Sequence, residues 1–130
     1  MSGTNTGTPI PATSGISATA AVSTGLTLTI PAPAAGLFNY LCGLEIKLVV
    51  ATTVTGAATP IAVTSTGITG TPTFYFANGT SAVVGALLDS CQISPTNTVK
   101  GSAAATAMTF VAPIVTGAIW TMRAFYYQDI

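Results

Sequence analysis

The sequence has no histidine and almost no charge: three basic and three acidic residues in 130, or 5%. An ordinary soluble domain carries about a quarter charged residues. Each shortage removes a class of function. Without histidine there is no Ser–His–Asp or Cys–His nucleophile, no imidazole metal ligand and no imidazole pH switch. Without a basic patch nothing can displace counterions from a phosphate backbone, so no nucleic-acid partner is expected. The three acids, Glu45, Asp89 and Asp129, are too few and too scattered for paired-carboxylate or calcium chemistry. No Walker loop, GxGxxG or CxxC is present. The expectation is a protein that is not an enzyme and uses no cofactor and no metal.

Cysteine is scarce too, with only Cys42 and Cys91. The start, MSGTNTGTPIPATSG, has neither a basic n-region nor an apolar h-region, so a signal peptide is not expected and synthesis in the cytoplasm is. In a reducing compartment two buried free thiols are the simplest expectation, with a disulfide between them the alternative. Asn78-Gly79-Thr80 fits a glycosylation sequon, but without secretion it reads as an Asn-Gly turn. Uninterrupted apolar runs are missing as well. Residues 101–122 lack charge, yet hydroxyl residues dilute them and Pro113 and Gly117 break them. They read as two strands around a turn, and no membrane span is expected.

What is present is apolar and β-forming. Hydrophobic residues make up 49%, and the mean hydropathy is +0.68. The length suits one domain with a real core. With so few charges, the surface must be Thr, Ser, Asn and Gly, and such a chain should associate with itself or with another protein. Residues 1–14 are polar and flat and read as an extended arm. Its Thr4, Asn5, Thr6, Thr8 and Ile10 are candidates for partner binding by strand addition.

From Gly15 to Ile130 the pattern is a single all-β domain. Strands are expected at Ser17–Val22, Leu26–Ile30, Phe38–Val50, Pro60–Thr66, Thr71–Ala77, Leu87–Ile93, Ala105–Ala112 and Ala118–Tyr127. Short Thr-, Val- and aromatic-rich runs separated by Gly, Pro and Asn predict an antiparallel β-sandwich, jelly-roll-like, with about eight strands. In Phe38–Val50 the alternation puts Cys42, Leu44, Ile46, Leu48 and Val50 on one face and Glu45 and Lys47 on the other. In Ala118–Tyr127 it puts Trp120, Met122, Ala124 and Tyr126 opposite Thr121, Arg123, Phe125 and Tyr127. These are the longest strands and should be central. If they are neighbours, Glu45 and Arg123 can pair, and Glu45, Lys47 and Arg123 become candidates for fixing subunit orientation at an interface.

Two threonine ladders, Thr27-x-Thr29 and Thr69-x-Thr71-x-Thr73, read as solvated sheet face. The sharper alternatives are an ice-binding face or a surface packed on a partner. A sugar site assembled from Asp89, Asn78 and Trp120 or Tyr75 is the remaining chemical alternative.

The Thr/Ala/Gly-rich start, the segment PAPAAGLFNYLCGLEIKLVV, the hairpin-like TGTPTFYFANG and the closing AIWTMRAFYYQDI together resemble the capsid decoration, or cement, proteins of tailed bacteriophages. The resemblance covers residues 15–130 and lies in strand layout, with no short site motif from which residues could be carried over. It implies a homotrimer, or sometimes a dimer, on the outer surface of a virion. There it would clamp the major capsid protein and stabilise the shell. The alternative is a carbohydrate-binding module of a head fibre or tail fibre.

Overall fold

A computed structural model describes residues 13–52, 60–76, 87–93 (by their backbone) and 98–130. The arm candidates Thr4, Asn5, Thr6, Thr8 and Ile10, the Asn78-Gly79-Thr80 turn and the expected strand end at Ala77 lie outside the described residues.

The chain is an all-β antiparallel sandwich. Its strands are β1 (Ser14–Thr19), β2 (Leu26–Ile30), β3 (Phe38–Val50), β4 (Ile61–Thr66), β5 (Phe74–Phe76), β6 (Leu87–Ile93), β7 (Val99–Lys100), β8 (Met108–Ala112) and β9 (Ala118–Asp129). One sheet, here sheet A, has the order β1-β9-β3-β6, with β7 also on β3. The other, sheet B, has the order β2-β8-β4-β5. Strands pair from the outside of the sequence inward: β1 with β9, β2 with β8, β3 with β6, β4 with β5. The long strands β3 and β9 are indeed neighbours at the centre of sheet A.

Alternation builds the core. Leu44, Ile46, Leu48 and Val50 of β3 and Ala118, Trp120, Met122 and Ala124 of β9 face inward. They meet Leu28 and Ile30 of β2, Met108, Phe110 and Ala112 of β8, Ile61 and Val63 of β4, and Phe76 of β5. Trp120, 0% exposed, joins the two layers. Its ring meets Phe76 edge-on, with centroids 5.2 Å apart. Its Nε1–H donates to the Pro113 carbonyl at 2.7 Å, which satisfies the only polar atom the indole buries. Asn39 ties the layers at one end. Its amide donates to the carbonyls of Pro31 (3.0 Å) and Thr106 (3.2 Å), and its oxygen accepts from Gln128 Nε2 at 3.0 Å.

Two expectations need correction, and the disulfide alternative falls on distance. Cys42 is not on the inward face. The β3–β9 register shifts between Leu41 and Gly43, so Cys42 is the extra residue of a β-bulge; Leu41 turns inward and Cys42 is half-buried. It is a free thiol. Cys91 lies opposite Ile46, four residues further along β3, roughly 13 Å away at strand rise and beyond disulfide reach. The Thr69-x-Thr71-x-Thr73 ladder does not form. Thr69 and Gly70 make a turn, and Thr71 has a φ of 40°, so β5 begins only at Phe74. Residues 101–122 hold β8, a turn and the start of β9. Among the described residues no helix is long and apolar enough to cross a membrane.

Candidate functional site

With both inner faces committed to the core, the broad surfaces left for another molecule are the outer faces of the two sheets. The two differ in kind. All six charged residues fall on strands of sheet A: Glu45 and Lys47 on β3, Asp89 on β6, Lys100 on β7, Arg123 and Asp129 on β9. The four strands of sheet B, LTLTI, IAVTST, FYF and MTFVA, have none.

On sheet A the three candidate interface residues come together. Glu45 is directly opposite Arg123 in the register. Its Oε1 is 3.7 Å from Arg123 Nη2 and 3.6 Å from Lys47 Nζ. One carboxylate thus serves two cations, and the group keeps an excess positive charge. The Arg123 and Lys47 side chains are about half exposed, so each contact is worth well under about 1 kcal/mol. The group orients more than it stabilises.

Beside it runs an aromatic strip. Phe125 lies between glycines on both neighbouring strands, being opposite Gly15 of β1 and Gly43 of β3. A β-carbon on either glycine would stand 3.2–3.3 Å from its ring. The missing side chains are what let the ring lie across the sheet. Arg123 sits 5.4 Å from the ring's centroid. Further along, Tyr40 and Tyr127 stack with centroids 5.0 Å apart and planes within 7°. Lys100 Nζ lies 4.0 Å over Phe38 and 5.8 Å from Tyr40. The Tyr127 hydroxyl is held above its usual value near 10, first by desolvation, then by the like charge of Tyr40, Asp129 and Cys42. Cys42 points its thiol at the Phe125 carbonyl, 3.2 Å away. Sequence reasoning missed this strip. Lys100 arrives on a two-residue strand, and the register of β9 on β3 cannot be read from spacing. The glycines facing Phe125 were the only available signal.

Sheet B's outer face is a threonine grid. Thr29, Thr109 and Thr66 form one row across β2, β8 and β4; Thr27, Val111 and Thr64 form the next. Thr66 and Thr109 share a hydroxyl–hydroxyl hydrogen bond. The Thr27-x-Thr29 ladder is therefore real, and its neighbours extend it.

Of the proposed sugar-site residues, Trp120 is core and cannot serve as an exposed platform. Tyr75 is 69% exposed on β5. Asn78 and the Asp89 side chain lie outside the described residues. Among the described residues no three of His, Cys, Asp and Glu cluster. No known family matches the chain, and neither the curated proteins nor the solved structures compared with it include a match.

Proposed function

We propose that the chain is a structural virion protein that docks as a homo-oligomer on the outside of a phage capsid and stabilises the shell. One observation carries this reading: the division between the two outer faces. Tyr, Phe and Arg gathered on one face are the residue types enriched where proteins bind proteins. The Glu45–Arg123–Lys47 group beside them supplies orientation. The opposite face is uncharged and mostly threonine, with Val111 and, on the edge strand β5, Tyr75 exposed among the hydroxyls. The nested strand pairing supports reading the sandwich as a jelly roll, an architecture shared by many capsid and lectin domains. On a repeating lattice, individually weak contacts add through avidity. Residues 1–12 would add a strand to the capsid protein. Ser14 already belongs to β1, so the arm proper stops before it.

Cosedimentation with undecorated capsids tests this. The wild type is expected to bind, and Arg123→Glu with Phe125→Ser to lose about tenfold or more in affinity. Thr64→Glu on the other face should bind as before. Deleting residues 1–12 should weaken binding while leaving the fold intact. No wild-type binding, or the reverse pattern between faces, overturns the proposal. A glycan-binding virion module is the second reading, favoured by the exposure of Tyr75. Glycan binding that disappears in Tyr75→Ala would support it.

A further inference from the structure

A sandwich has four edge strands, and natural sheets protect theirs with charge, proline, bulges or brevity. Here β6 and β7 share one edge of sheet A, β7 being two residues long and carrying Lys100, and all the described edge strands but one have such a feature or another weakness. β5 is three residues long. β6 contains Asp89 and pairs irregularly at Leu48/Val49 of β3. β1 carries Gly15 in its interior, which weakens a strand. β2 has no such feature. It is LTLTI, five residues without charge, glycine or proline, bounded by Pro31 and Pro33 only after it ends. Among the described residues it hydrogen-bonds to β8 on one side and has no strand on the other.

Its sequence is also its own complement. Run antiparallel to itself about Leu28, it sets Leu28 against Leu28, Thr27 against Thr29 and Leu26 against Ile30. Like meets like at every position. Both threonines are exposed, Leu28 and Ile30 are buried and Leu26 packs partly buried against the core, so paired residues fall on matching faces. We propose that β2 is a self-association edge at which a second copy of this chain adds its own β2, giving a twofold dimer with one continuous sheet B.

The geometry bears on the function above, and the inference rests on that reading only for its use. A twofold relating antiparallel strands within one sheet stands perpendicular to that sheet. Both copies then turn the same face the same way. The two aromatic and charged sheet A faces point together toward one lattice, and the threonine rows of sheet B join into one coat on the other side. One dimer thereby engages two sites at once.

The test is a charge swap read by solution mass in a protein dilution series. In the proposed register residue 27 of one copy is opposite residue 29 of the other. The T27K/T29K variant puts lysine against lysine twice, and should weaken the dimer about tenfold or more. T27D/T29K puts aspartate against lysine twice, and should dimerise at least as well as the wild type. Circular dichroism of both variants reports the fold, and the pair carries equal numbers of substitutions. A wild type that stays monomeric, a trimer, or a T27K/T29K protein that dimerises unchanged overturns the inference. Capsid cosedimentation is measured separately. If binding survives while the charge swap has no effect, the edge is wrong and the docking face stands.

Discussion

Sheet A and sheet B share one core and differ on almost everything outside it. Sheet A has strands of 13 and 12 residues at its centre, every charge in the chain, and stacked aromatics on its surface. Sheet B has strands of three to six residues and a threonine surface. The inner faces are alike because they face each other, and the hydrophobic effect asks the same of both. The outer faces answer to no such mutual constraint and are free to differ. A chain this poor in charge has spent none of it on sheet B.

The comparison can be broken or sharpened in order of expected effect. Trp120→Ala removes the ring that joins the layers and should cost about 4 kcal/mol in chemical denaturation. A cost below about 1 kcal/mol would mean that the sheets do not depend on that contact. Asn39→Leu leaves the Pro31 and Thr106 carbonyls without their donor; a loss of about 2–3 kcal/mol is expected. Phe125 and Val111 make a matched pair, 39% and 40% exposed on opposite faces. Phe125→Ala uncovers the backbone at two glycines and should cost about 1–2 kcal/mol, Val111→Ala about 0.5 kcal/mol. Equal losses would erase the distinction between strip and coat. Glu45→Gln should cost under about 1 kcal/mol, and less as salt is added.

The smallest effect concerns pH. Tyr127 is harder to ionise folded than unfolded, so its contribution is intact below the unfolded value near 10 and is lost as pH rises through the higher folded one. Denaturation midpoints taken from about pH 9 to about pH 11 should fall less steeply in Tyr127→Phe than in the wild type.

Much of this fold is legible in the sequence, and the reasons are local. Leu26–Ile30, Phe38–Val50 and Leu87–Ile93 are bounded as expected because alternation or an apolar run ends at identifiable punctuation. Thr71–Ala77 is overestimated because alternation ignores backbone φ, and Thr71 breaks the strand. β7 is too short to show a period. The bulge at Cys42 is invisible because apolar residues flank it on both sides, so an inserted residue leaves the pattern looking unbroken. The Glu45–Arg123 pair is legible once two long strands are assumed to be neighbours. The aromatic strip is not, because it depends on which residue of β9 meets which residue of β3.

The outside-in pairing of strands also sets a schedule. Of the described strands β1 comes first along the chain and has β9 as its sheet partner, and β2 waits for β8. Among the described strands, only the β3–β6, β3–β7 and β4–β5 pairs can close before β8 and β9 are made, and none of them contains Trp120. Contacts between such distant parts of a chain form slowly. β1 and β2 therefore lack their sheet partners until β9 and β8 are made, and β2, the uncharged edge, is available to other nascent copies before β8 exists to claim its first side. Sticking at that stage is a hazard of the topology. Yield in the cell should thus depend on how quickly the twelve residues of β9 follow β1 and β2 off the ribosome.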